Sequence, residues 1–185
     1  MIYLIDHQDS FTYNLAHLLA KFDEVYVSNY FKIDYKKLKQ SSLVVFSPGP
    51  GEPKDYPKSN HLYKILKGKK KILGICLGFQ LILYNEKGKI IQQKKIYHGF
   101  QTKIQVLKKS HLFKKNKYFL VGRYHSLKLK EPYFSKNIDI TMRCTKSKAA
   151  MAFEDNKNKI YGFQFHPDSF LTSDGKKIIQ KIISS

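Results

Sequence analysis

At 185 residues the chain is sized for one domain, 1–185, with a sizeable core, and it carries no internal repeat, long linker or low-complexity tract. Its two cysteines are too few for a disulfide framework or a zinc site of the usual spacing, and no metal is expected. The formal net charge of +20 attracts anions. It is scattered over lysine pairs such as Lys36-Lys37, Lys94-Lys95, Lys108-Lys109 and Lys176-Lys177, with guanidinium only at Arg123 and Arg143; that argues against specific nucleic-acid readout and for a solvated surface that could dock an acidic partner subunit.

Apolar strand-like runs alternate with helical stretches, which predicts an α/β fold: an open, mainly parallel twisted sheet with helices on both faces and a small antiparallel extension. Ile2-Tyr3-Leu4-Ile5 reads as the first strand. The apolar start ends at Asp6, too soon for a signal peptide or a membrane span, so a cytoplasmic location is expected, where reducing conditions keep thiols usable. Asp9 or Ser10 offers an N-cap for a helix with Tyr13, Leu15, Leu18 and Leu19 inward. Val25-Tyr26-Val27, Leu43-Val44-Val45-Phe46 and Ile72-Leu73-Gly74-Ile75 read as further strands. From about Ile90 to Gln164 shorter strands with charged turns predict the antiparallel part, with Cys144 a packing residue. Gly175 to Ile183 reads as a terminal helix with Ile178, Ile179, Ile182 and Ile183 inward.

The chemistry concentrates in three stretches. Gly74-Ile75-Cys76-Leu77-Gly78 has the form of a nucleophile elbow, in which a side chain on a sharp strand-to-helix turn needs small residues two positions before and after it. Cys76 then lies at a helix N-terminus, where free N–H groups and the helix dipole favour thiolate. Taken alone, the motif also fits a small buried cysteine. In Gln164-Phe165-His166-Pro167-Asp168, residues two apart point the same way in an extended segment, so His166 and Asp168 can act as base and orienting acid. Taken alone, His-Pro followed by Asp also fits a strand end and a turn. Ser47-Pro48-Gly49-Pro50-Gly51 follows a strand; Gly51 can donate an N–H to an oxyanion, and Leu77, just after the nucleophile, is the natural second donor. Such Gly and Pro clusters are also plain turns.

Together with Asp6-His7-Gln8-Asp9-Ser10-Phe11-Thr12-Tyr13-Asn14-Leu15, His98-Gly99 and Tyr124-His125-Ser126-Leu127, these stretches resemble the class I glutamine amidotransferases over nearly the whole chain, and within them the glutaminase subunit of anthranilate and aminodeoxychorismate synthases. The resemblance implies a flavodoxin-like fold. It also implies that Cys76 attacks the carboxamide carbon of glutamine, with His166 as base and then acid and Asp168 orienting it. Gly51 and Leu77 would form the oxyanion hole, and Gly49, Pro50, Gly51, Gln80, Ser126 and Leu127 would hold glutamine. Ammonia would pass to a larger chorismate-aminating synthase subunit, for anthranilate or for 4-amino-4-deoxychorismate. No cofactor is implied for this chain, and a magnesium ion is expected in the partner.

Three departures from the family pattern stand out. Asp168 replaces the usual glutamate, a loss of reach of roughly 1.5 Å. Phe79 stands where histidine is usual after Gly78, and Phe100 where lysine usually follows His-Gly. The competing readings are a stand-alone Cys-His-Asp hydrolase of γ-glutamyl bonds and a catalytically silent binding or regulatory module.

Overall fold

Alternate side chains of the first strand enter different cores: Ile2 and Leu4 join one apolar cluster, Tyr3 and Ile5 another, and all are buried. A strand of this kind belongs inside a sheet covered on both faces. The computed structural model, which describes residues 1–107 and 110–185, has that arrangement; the Lys108-Lys109 pair lies outside the described residues.

In chain order the elements are β1 (Ile2–Asp6), α1 (Thr12–Leu19), β2 (Val25–Asn29), α2 (Tyr35–Gln40), β3 (Leu43–Phe46), α3 (Pro57–Leu66), β4 (Lys71–Ile75) and α4 (Leu77–Asn85). There follow β5 (Ile90–Gln92), β6 (Phe100–Val106), β7 (Tyr118–Arg123), β8 (Leu127–Leu129), β9 (Asp139–Cys144), β10 (Ala150–Asp155), β11 (Ile160–Phe163) and α5 (Gly175–Ile183). Nine strands form one sheet in the order β2-β1-β3-β4-β11-β10-β9-β6-β7, and β5 and β8 make a separate pair. From β2 to β11 all neighbours are parallel; from β11 onward each is antiparallel to the next. The antiparallel part therefore continues the main sheet as β10, β9, β6 and β7. Helices α1 and α5 cover one face, and α2, α3 and α4 the other.

Two details at α1 differ from expectation. The helix begins one turn position later than Asp9 or Ser10 would set it: Phe11 is the cap residue, and Asp9 instead accepts the Phe11 N–H on Oδ1 (2.8 Å). Tyr13 is 72% exposed. It sits about two hundred degrees around the helix from Leu15, and Leu15, Leu18 and Leu19 already fill the inward stripe. At the other end of the chain α5 spans the expected residues, with Ile178, Ile179 and Ile182 buried and Ile183 only partly so.

The pairing of β4 with β11 matters most for the site. Their last residues, Ile75 and Phe163, are partners in register. Whatever follows each strand emerges side by side at the carboxyl edge of the parallel set, where open α/β sheets place their sites.

Candidate active site

Cys76 leaves β4 with φ 52° and ψ −99°, a left-handed conformation that a non-glycine residue holds only when its surroundings enforce it. The enforcement comes from close packing. A Cβ on Gly78 would lie 2.2 Å from the Phe46 carbonyl oxygen, and one on Gly74 2.5 Å from the Gly78 backbone. Bare glycine at both positions lets α4 start hard against β3 and β4. The Cys76 N–H donates to the Phe163 carbonyl (2.8 Å), and its own carbonyl accepts the Gln80 N–H (3.1 Å), so one residue closes the strand and opens the helix.

His166 follows β11. Its N–H donates to the Gly122 carbonyl (3.0 Å) and its carbonyl accepts from Thr172 Oγ1 (2.6 Å). The imidazole is buried edge-on against Phe11 and Tyr124, with ring centroids 4.9 and 5.0 Å away. Pro167 is seated on α5: a Cβ on Gly175 would lie 1.8 Å from the Pro167 carbonyl oxygen. Asp168 turns back so that Oδ1 lies 3.7 Å from His166 Nδ1. That is ion-pair distance without a hydrogen bond. Among the described residues neither ring nitrogen of His166 and neither carboxylate oxygen of Asp168 has a hydrogen-bond partner. Burial alone would pull the imidazole down, but the Asp168 carboxylate and the Cys76 sulfur outweigh it and raise His166 to about 10.

The Ser47–Gly51 loop is fixed from beneath by His7. Ser47 Oγ gives its hydrogen to the Pro48 carbonyl (2.6 Å), so His7 Nδ1, 3.1 Å from that oxygen, must be the donor, and Nε2 then accepts from Ser59 (2.9 Å). Burial lowers His7 to about 4 and keeps it neutral. Gly49 lies where a Cβ would meet Leu77 Cδ2 at 2.5 Å and His7 Cβ at 2.7 Å, and Gly51 adopts φ +70°. Tyr56 Oη donates to the Pro50 carbonyl (2.8 Å). Leu77 opens α4, so its N–H has no acceptor within the helix.

These pieces enclose a cavity of about 240 Å³ lined by Asp9, Gly49, Pro50, Gly51, Cys76, Leu77 and Gln80 from one side and by Tyr124, His125, Ser126 and Leu127 from the other. Every residue expected to hold glutamine lines it, together with Cys76. His166 and Asp168 stand behind it, Tyr124 being shared between cavity and imidazole. Some neighbours of the site carry no catalytic expectation from sequence: Asp9 is expected as a helix cap and, like Phe11, as part of a signature. Gln164 was quoted in its motif without a role, yet it is fully buried with Nε2 3.8 Å from Cys76 Sγ and Oε1 accepting from Gln80 Nε2 (3.1 Å). His98 stays on the rim, its ring 6.2 Å from that of Tyr124. Of the departures, Phe79 is a buried packing residue against Phe153 (5.3 Å between ring centroids) and Phe100 is exposed on β6 under Lys95.

The model of the family described as glutamine amidotransferase class-I matches residues 3–184. The chain belongs to that family. Among its relatives, anthranilate synthase component 2 of Lactococcus lactis is 37% identical over 189 residues, covering 100% of this chain and 94% of that one. The protein of the same name from Cyanophora paradoxa is 37% identical, covering 100% and 98%. The bifunctional protein TrpGD of Thermotoga maritima is 34% identical over 99% of this chain, which matches 32% of its length. A crystal structure of a glutamine amidotransferase from Thermotoga maritima superposes with a TM-score of 0.69 at 18% identity, covering 90% of this chain and 75% of that one, and shares the fold. Among the described residues of this class I glutamine amidotransferase, no helix is long and apolar enough to cross a membrane.

Proposed function

We propose that this amidotransferase hydrolyses glutamine to glutamate through a thioester on Cys76 and supplies the ammonia to a chorismate-aminating synthase subunit. The observation that carries the reading is the common cavity: an elbow cysteine, the Gly49–Gly51 loop, Gln80 and Ser126-Leu127 meet around one space, with a buried imidazole and carboxylate behind. With the thiol proton already on His166, which is raised to about 10, Cys76 Sγ bonds to the carboxamide carbon. Gly51 and Leu77 N–H groups receive the oxyanion. His166 then returns the proton to the departing nitrogen, releasing ammonia, and activates a water that cleaves the thioester. Asp168 holds the imidazole in the tautomer this needs. No cofactor enters these steps, and a magnesium ion belongs to the partner. The names of the relatives favour anthranilate over 4-amino-4-deoxychorismate as the aminated product.

The open His166–Asp168 contact supports a partnered glutaminase over a stand-alone γ-glutamyl hydrolase, since a self-sufficient relay would be closed already. A glutamine-analogue affinity label read by mass spectrometry tests the assignment. Modification is expected at Cys76, absent in Cys76→Ser and greatly slowed in His166→Ala. Modification at Cys144, or none with a synthase subunit present, would overturn it. Glutaminase turnover that is strong alone and unchanged by the synthase would restore the hydrolase.

A further inference from the structure

We infer that Gln164 is a catalytic residue of this site, its carboxamide N–H hydrogen-bonded to the nucleophilic sulfur of Cys76 and its direction fixed through Gln80 by the Leu127 carbonyl. The inference deepens the glutaminase reading and rests on Cys76 being the nucleophile.

The direction follows from donor and acceptor counting. The Leu127 carbonyl can only accept, so the side-chain atom of Gln80 that lies 3.3 Å from it is Nε2, which also donates to Gln164 Oε1 (3.1 Å). With Oε1 so occupied, Gln164 has only its Nε2 to turn toward Cys76 Sγ, 3.8 Å away. A flipped Gln164 would set oxygen against sulfur and nitrogen against nitrogen.

The carbonyl end of this hydrogen-bond chain cannot be reversed by any change of protonation, and two consequences reach the site. The sulfur receives an N–H, which favours the charged nucleophile over the thiol. And Gln80, both of its amide hydrogens committed, offers the cavity only its oxygen, so it can bind a donor group of a ligand and not a carboxylate.

The probe is iodoacetamide, followed at Cys76 by mass spectrometry, so the outcome does not depend on turnover of glutamine. Gln164→Glu and Gln164→Met are compared with the parent at pH 7 and pH 10. Both should slow alkylation about tenfold or more at pH 7, the loss expected for one charge-assisted hydrogen bond, and slow it much less at pH 10, where a thiol of ordinary acidity is ionised. Unchanged rates, or an equal slowing at both pH values, would overturn the role of Gln164. Should neither Gln164 variant fold, the parent decides: one Gln164 carboxamide proton should move upfield on Cys76→Ala in nitrogen-edited NMR, and a stationary signal sinks the proposal. If the parent labels normally with iodoacetamide but not with a glutamine analogue, the glutaminase reading fails and this hydrogen bond stands or falls on its own data.

Discussion

Asp168 stands beside the imidazole without reaching it, and that geometry makes its role measurable. Its carboxylate stops 3.7 Å from His166 Nδ1, short of a hydrogen bond by somewhat less than one methylene. Asp168→Glu should close that gap. We expect turnover of Asp168→Glu equal to or above the parent, measured as ammonia release with the synthase subunit present. Asp168→Asn should lower kcat by roughly 10²–10⁴ while KM for glutamine changes little, because the residue orients the imidazole and does not line the cavity. A rise in KM with kcat preserved would show that Asp168 contacts substrate instead.

The buried histidines give a pH profile of stability with a fixed sign. His7 and His125 are lowered from 6.5 to about 4 and about 3, so the unfolded chain takes up protons that the folded chain refuses. Their contribution is complete above pH 6.5 and is lost as pH falls toward 4 and then 3. His166 is raised to about 10, so its contribution is complete below 6.5 and is lost as pH rises through 10. Urea midpoints should therefore peak near pH 6.5 and fall on both sides. His7→Asn should flatten the acid side; a midpoint as steep as the parent's between pH 4.5 and 6.5 would show that His7 does not set it.

At the scale of elements, α4 and α5 hold the reacting groups through missing side chains. Gly78→Ala would press a methyl group into the Phe46 carbonyl and should destabilise by about 3 kcal/mol or more, the upper end for overpacking. Gly175→Ala would push α5 away from Pro167 and with it the His166–Asp168 segment, so we expect lower turnover together with a lower thermal midpoint. A Gly175→Ala chain with parent-like activity would show that α5 is not the support of that segment.

Much of this was legible in the sequence. Gly74 and Gly78 flank Cys76 at the spacing an elbow needs, β1, β3 and β4 are continuous apolar runs, and α5 is apolar at helical repeat. The burial of Tyr13 was misjudged because an aromatic within a helical run matches an inward pattern until its angle to Leu15, Leu18 and Leu19 is measured. Gln164 escaped assignment for another reason. A polar residue between apolar ones in an extended segment carries no local mark of its partner, and its partner Gln80 lies on another element.

For the whole molecule, the excess of positive charge is the dominant long-range term. With a net charge of +20 the folded chain repels itself, and exposed pairs such as Lys54–Glu52 and Lys177–Asp174 offset little of that. Raising sodium chloride from about 10 mM to about 150 mM shortens the Debye length from roughly 30 Å to roughly 8 Å. The thermal midpoint should climb by several degrees over that range in calorimetry at neutral pH. No change would mean that the lysines sit too far apart to interact.

The shared ending of β4 and β11 has one more result, for how such a chain can vary. Cys76 and His166 hang from neighbouring strands whose mutual level is set by backbone pairing from Ile160 with Ile72 to Phe163 with Ile75. The number of residues between them does not set their spacing. A segment spliced in beside Phe134, whose side chain is 89% exposed, would lengthen the polypeptide without moving sulfur relative to imidazole. Sequence drift there is insulated from the chemistry, whereas slipping β11 by a single residue against β4 would turn His166 to the opposite face and end it.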